Sequence, residues 1–214
     1  MAPQVTEIAY VTLKPGIELE GTSPSAQTWA EIIATLQRQD GCQRAHYGRT
    51  IESPNLLILM IDWDSVEAHK KFMKVPEYTP YVQRLYTIME GVHLHHFLPT
   101  PSPPSVFGIA PVIEFTTFYE AYPDFKESAG KFIHACGSPE GFVGFAYGET
   151  VEEVGRHAGG EEGKKAKAVV LTIGWKSVDA HMKFRETETF KNNIGLMRGN
   201  HGGVEMFHVP FKAV

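Results

Sequence analysis

The sequence predicts an α+β protein made of two tandem copies of one β-α-β-β-α-β unit, whose antiparallel sheets pack face to face into a single intramolecular barrel. Three observations predict it. The segment DWDSVEAHKKF, from Asp62 to Phe72, returns as GWKSVDAHMKF, from Gly174 to Phe184. At the same spacing Val92-x-x-x-His96 returns as Val204-x-x-x-His208. Between the copies lies Pro99 to Ser105, with Pro99, Pro101, Pro103 and Pro104 in one short stretch. Self-similarity of this kind marks duplication of a structural unit.

The repeat extends upstream with changed spacing. Gly41 and Tyr47-Gly48 pair with Gly141 and Tyr147-Gly148, and Glu7-Ile8 pairs with Glu114-Phe115. The second copy therefore carries an insertion within Glu152 to Lys165 (EEVGRHAGGEEGKK), and the first carries extra residues near Glu18 to Gln27. The expected division is a first unit over residues 1–98, a linker over 99–105 and a second unit over 106–214. The linker reads as an extended, semi-rigid spacer of roughly 20 Å, at ~3.1 Å per residue for proline-rich chain.

Within the first unit, Ile8 to Leu13 is β-prone and Pro15-Gly16 ends it. Thr28 to Gln39 has Trp29, Ile32, Ile33 and Leu36 at helical spacing, closed by Asp40-Gly41. Cys42 to Ile51 and Leu56 to Trp63 read as strands on either side of a Ser53-Pro54-Asn55 turn. The near-continuous apolar run Leu56 to Ile61 implies cover on both faces. Asp64-Ser65-Val66-Glu67 has helix-start capping chemistry. A further helical stretch, Tyr81 to Met89, and a last strand, Val92 to Leu98, complete a ferredoxin-like unit. Its helices cover one sheet face, so a second copy is the natural cover for the other. A ligand cavity is expected between the two sheets.

Composition narrows the class. Hydrophobic residues make up 43% and charged residues 21%, as in a folded globular protein, and the net charge is −5. No Lys/Arg stripe points to nucleic acid. Lys164, Lys165 and Lys167 sit in a Gly/Glu-rich stretch and read as a solvated loop. The two cysteines, Cys42 and Cys136, do not occupy matching positions, which fits a reducing compartment. No apolar run is long enough to span a bilayer and the N-terminus has no signal-peptide pattern, so a cytoplasmic location without a membrane partner is expected. Nucleotide-binding glycine loops and a Gly-x-Ser-x-Gly elbow are missing from the sequence.

The β-α-β-β-α-β order, the tryptophans ending the third strands (Trp63, Trp175), the Ala-His pairs (Ala68-His69, Ala180-His181) and the histidines near the last strands resemble the dimeric α+β barrel superfamily. Within it the chain is most similar to antibiotic-biosynthesis-monooxygenase (ABM)-type domains, as a tandem duplication covering nearly the whole chain. The resemblance implies a small-molecule enzyme without bound cofactor: a monooxygenase, or a cyclase or isomerase, acting on an aromatic or polyketide-like substrate by proton abstraction. The superfamily also contains heme-dependent members, so heme is the alternative cofactor, and a non-catalytic stress-response binding protein is the alternative role. One motif departs. Where plant polyketide cyclases of the superfamily carry His-Pro-x-His, this chain has Val75-Pro76-Glu77-Tyr78 and Thr187-Glu188-Thr189-Phe190.

The candidate bases are histidines, which are neutral and able to take a proton near pH 7. His69 and His181 match across the copies. His93 and His95 share one strand face with Phe97 and point to the inter-sheet side, while Val92, Leu94 and His96 share the other. His46 faces Ala146 in the other copy. Trp63, Trp175, Tyr47, Tyr147, Phe97 and Phe207 are the aromatic candidates for stacking on a flat ligand. Glu7 and Glu114 are matched strand acids that would move protons if they faced a dry cavity, and solvated edge acids otherwise. The histidine pair on one strand is too small a ligand set for a metal, so none is expected. The insertion reads as a surface loop or a lid. The copies are expected to hold two unequal cavities with at most one active, and the protein to be a monomer with an internal pseudo-dimer, or a homodimer.

Overall fold

A computed structural model of the chain describes residues 2–156 and 164–214. The first unit comprises β1 (Val5–Leu13), α1 (Pro24–Gln37), β2 (Cys42–Arg49), β3 (Leu56–Trp63), α2 (Val66–Phe72), α3 (Tyr78–Ile88) and β4 (Met89–Phe97). The second repeats this order as β5 (Val112–Tyr119), α4 (Phe125–Cys136), β6 (Phe142–Glu149), β7 (Val169–Trp175), α5 (Val178–Arg185), α6 (Glu188–Asn193), a 3-10 turn (Ile194–Met197) and β8 (Gly203–Val209). A short β9 (Lys212–Ala213) ends the chain. The first sheet runs β4-β1-β3-β2-β9 and the second β6-β7-β5-β8, both antiparallel. Each unit is thus the expected ferredoxin-like sheet.

Local chemistry sets the boundaries. Ser65 and Ser177 cap α2 and α5, each hydroxyl accepting the N–H three residues on, at 3.1 Å. Helix α1 begins earlier than its apolar periodicity predicts, because Ser23 caps it and Pro24 suits the first turn. Helix α3 likewise starts at Tyr78, accommodating Pro80 in its first turn.

Each sheet buries one face under its own helices and the other against its partner. Val5, Ala9, Val11, Trp29, Ile32, Leu59, Trp63 and Phe72 belong to the first helix-side core, and Phe118, Phe125, Phe132, Leu171 and Trp175 to the second. The inter-sheet side is filled rather than hollow, which corrects the expected cavity there. Ile8, Tyr10, Ile58, Met60 and Phe97 meet Ile113, Phe115, Val170 and Val209 across the interface. Val106, Phe107 and Phe211, from the segments outside the sheets, wedge into the same layer. The linker therefore does more than span. It pairs with the second sheet at Thr100 and Tyr147, then turns its apolar residues inward.

Edge pairing crosses between the units in both directions. Strand β9 adds to the edge of β2 through His46 and Tyr47, while the chain after β4 runs along β6. Gly48 and Gly148 lie under these crossings. A Cβ on Gly48 would sit 2.6 Å from Val209 Cγ1 and 2.8 Å from the Pro210 carbonyl oxygen, and one on Gly148 would collide with the backbone of Leu98. This explains why both copies carry Tyr-Gly at that point. Gly48→Ala and Gly148→Ala should each destabilise the protein by about 1–3 kcal/mol in denaturant unfolding, as overpacked sites do, whereas Gly91→Ala, with open space around it, should have little steric effect.

Candidate functional site

Strand period places Glu7 and Glu114 on the helix-facing side of β1 and β5, the central strands next to β3 and β7. They are not edge acids. Glu7 is buried and accepts the Trp63 Nε1–H at 2.7 Å; Glu114 accepts the Trp175 Nε1–H at 3.0 Å. The capped starts of α2 and α5 then set His69 and His181 flat against those indoles, with ring centroids 5.1 and 5.3 Å apart. Gly41 and Gly141 hold the helix start close. Both have φ above +80°, and a Cβ there would approach Ala68 and Ala180 Cβ too closely.

A second histidine joins each pair. His69 Nδ1 lies 2.9 Å from His96 Nε2, and His181 Nδ1 lies 2.8 Å from His208 Nε2. Behind these imidazoles stand carboxylates from the opposite unit. Glu152 reaches His96 Nδ1 at 2.7 Å and also accepts its backbone N–H at 2.8 Å. Glu52 does the same for His208, at 2.6 Å from Nδ1 and 2.9 Å from the backbone nitrogen. The segments carrying them are fixed by reciprocal backbone bonds, Val151 N–H to the His96 carbonyl (2.7 Å) and Ile51 N–H to the His208 carbonyl (2.9 Å).

In the second unit the groups form a line, Glu52–His208–His181–Glu114, closing with His181 Nε2 to Glu114 Oε2 at 3.3 Å. An ionised Glu52 takes the His208 Nδ1–H. A neutral His208 then presents its Nε2 lone pair to the His181 Nδ1–H, which leaves His181 Nε2 as the proton acceptor facing Glu114. In the first unit His69 Nδ1 serves both contacts, lying 3.3 Å from Glu7 Oε2.

Burial and contacts shift the titrations in opposite directions. Burial raises Glu7 to about 7 and moves Glu114 upward. Burial lowers His69 and His181 to about 4, so both are neutral at pH 7. Glu152 falls to about 2 and Glu52 also falls: partial burial opposes ionisation of each, but the side-chain and backbone N–H bonds from His96 or His208 outweigh it.

Each set borders a cavity between its sheet and its own helices. The second is about 450 Å³, with Glu114 and His181 in its wall, and the first about 150 Å³, with Glu7, Trp63 and His69. Glu7, His69 and His96 also offer one ligand atom each, all within 4.8 Å, a two-histidine, one-carboxylate group able to hold a divalent ion. Heme ligation by His181 would require it to give up one of its two ring-nitrogen contacts.

Of the residues singled out from sequence, the structure gathers His69, His181, Trp63, Trp175, Glu7 and Glu114 at these two sites. The others lie elsewhere. Tyr47 packs against Trp29 in the helix-side core, and Tyr147 lies against Phe145 and next to Gly130. Phe97 and Phe207 belong to the inter-sheet layer, with His93 and His95 beside Tyr10, because these positions alternate to the far side of the strand. His95 is fully buried, and neither ring nitrogen has a hydrogen-bond partner among the described residues. His46 lies under Phe107 of the linker segment. The lid reading of the insertion falls on residues 157–163, outside the described residues, while Glu152 proves to be the counterpart of Glu52. His96, His208, Glu52 and Glu152 were not singled out as chemistry. Their signal is in the repeat: Thr50-Ile51-Glu52 matches Thr150-Val151-Glu152, and His96 matches His208.

Residues 5–84 match the family described as Antibiotic biosynthesis monooxygenase. Several solved structures match almost the whole chain. An anthrone oxidase-like protein is 15% identical, with 98% of this chain and 92% of that one covered and a TM-score of 0.65. A proposed monooxygenase from Lactobacillus acidophilus NCFM is 9% identical, with 99% and 96% covered and a TM-score of 0.62. Another, from Fusobacterium nucleatum, is 12% identical, with 99% and 94% covered and a TM-score of 0.62. At these identities the likeness is one of fold. Comparison with curated proteins gives no match. The protein is therefore an α+β barrel of two ferredoxin-like units in one chain. Its first unit matches the model of that family over residues 5–84, and the second unit has the same fold. No helix among the described residues is long and apolar enough to cross a membrane.

The buried carboxyl gives a pH signature. With Glu7 raised to about 7, the folded state holds a proton that the unfolded chain releases from about pH 4.5 upward, so its contribution declines between those values. Wild type should lose on the order of 3 kcal/mol relative to Glu7→Gln between pH 4.5 and 8, read from denaturant midpoints. His69 acts with the opposite sign, its contribution being lost as pH falls from 6.5 towards about 4.

Proposed function

We propose that the protein is a small-molecule tailoring enzyme that works without a nucleotide or bound cofactor and begins by removing a proton from an activated C–H or phenol of an aromatic substrate. The observation that carries this reading is the line Glu52–His208–His181–Glu114 in the wall of an apolar cavity, built again in the first unit. His181 is the base. It is neutral at pH 7, and its other nitrogen is backed by an imidazole and an ionised carboxylate that stabilise the imidazolium as it forms. Glu114, kept towards its protonated form by burial, supplies or recovers a proton at the same place. The stacked Trp175 fixes the imidazole plane.

A monooxygenase outcome follows from this beginning. The carbanion left by proton removal adds dioxygen, and the resulting hydroperoxide loses water, so a CH2 group and O2 become a carbonyl and water with no external reductant. The ABM match of the first unit and the fold shared with an anthrone oxidase-like protein support oxygen addition over rearrangement or ring closure. The cavity of about 450 Å³ suits a ligand of a few fused rings, and the smaller one does not. We place the protein in the cytoplasm as a monomer.

Proton abstraction is tested by substitution and by pH. His181→Ala should lower turnover of an anthrone-type substrate by about 10²–10⁴-fold, with the rate falling as pH drops towards about 4, where the imidazole becomes charged. Glu52→Gln should act through His208 and produce a smaller loss with an altered pH profile. Activity should survive extraction with a chelator. Unchanged turnover in both the His69 and the His181 variants would overturn the assignment, and loss on chelation would transfer it to the Glu7, His69, His96 group holding a metal.

A further inference from the structure

The two cavities carry matching acid–base sets, but their remaining walls differ at four equivalent positions. In the second unit these are Thr116, Arg185, Arg198 and His201; in the first, Ala9, Tyr86 and Met89 stand in the wall and the exposed Met73, outside it, matches Arg185. The strand register supports the alignment, since Ala9 pairs with Leu94 as Thr116 pairs with Met206. All four second-unit residues line the larger cavity.

Each of the four presents an unmet capacity. Neither guanidinium makes a close ion pair among the described residues; Arg185 lies near enough to Glu114 to favour its ionised form and sits over the Phe190 ring, 5.9 Å from its centre. Thr116 is buried and its hydroxyl has no hydrogen-bond partner among the described residues. His201 is wedged edge-on between Phe118 and Phe125 and donates its Nε2–H to the Met197 carbonyl at 3.2 Å, which leaves a buried Nδ1 lone pair without a donor. Polar groups left unsatisfied in a buried wall are costly unless a ligand meets them. Two cations, one acceptor and one hydroxyl thus border an otherwise apolar space.

We infer that the second cavity takes a hydroxylated aromatic acid: an anionic group is held by Arg185 and Arg198, and a ring hydroxyl is met by His201 and Thr116. The inference rests on the proposed function for the identity of the site and adds the substrate class. Arginine matches a carboxylate through paired N–H donors, and a phenolic hydroxyl donates to the His201 lone pair. The first cavity, lined by Ala9, Tyr86 and Met89, has no guanidinium at these positions to hold the anion, so one molecule binds per chain.

The test uses the full chain and 3-hydroxy-2-naphthoate as probe, compared with its methyl ester and with 2-naphthoate, by titration calorimetry. The wild-type protein should bind the hydroxy acid at least tenfold tighter than the ester, one per chain. Arg185→Met combined with Arg198→Tyr, which installs the first unit's residues at exposed positions, should lose at least tenfold for the acid and leave the ester unchanged. His201→Phe should remove the preference for the hydroxy acid over 2-naphthoate. Equal affinity for acid and ester in the wild type, or equal losses for both in the double variant, would overturn the inference. The readout is binding. Anion preference without turnover would defeat the catalytic reading alone, and turnover without anion preference would defeat this one alone.

Discussion

The reciprocal docking of each β2–β3 or β6–β7 connection on the last strand of the other unit is the constraint from which the rest follows. Two backbone bonds and two carboxylates make the contact, Ile51 and Glu52 on His208, Val151 and Glu152 on His96. A carboxylate that accepts both a ring N–H and a main-chain N–H stays ionised, and it fixes the tautomer of the histidine it holds. That histidine fixes the next. The electrostatics of each site are thus set by a residue belonging to the other half of the molecule.

The same interface decides where a ligand fits. Once Phe97, Phe107, Phe115 and Phe211 fill the layer between the sheets, open space remains on the helix side, between each sheet and its own helices. Burial there raises the pKa of Glu7 and of Glu114 against the indole N–H bonds, which favour the ionised form, so each carboxyl keeps its proton more firmly than in water. Dry walls and a neutral imidazole within reach are what proton transfer from a weak carbon acid demands.

Much of this was legible in the sequence. The repeated Trp, Ala-His and Ser-capped helix start fell at both candidate sites, and strand alternation separated His96 from His93 and His95, while the face of Glu7 was left open. What escaped was long-range. Tyr47-Gly48 read as an aromatic candidate and a repeat-matched glycine within a strand, yet the glycine is required by a chain crossing from the other unit. Glu152 looked like the first residue of an insertion, because its role appears only when a strand distant in sequence comes alongside. The position of the cavity escaped for a related reason: an unpaired sheet face was expected to enclose a ligand, and the bulk of the facing side chains, together with the linker's own Val106 and Phe107, closes it.

The fusion of both halves in one chain carries a consequence for how such a protein can change. In a pair of identical subunits every substitution is made twice, so an arginine that improves one cavity is imposed on the other. Here Tyr86 and Arg198, or Met89 and His201, are encoded separately. The walls of one half are free to change on their own, while the other half still lends a carboxylate, Glu52, across the boundary. The duplication is then no relic. It is the second half of an obligate exchange, and neither half can be discarded without dismantling the other.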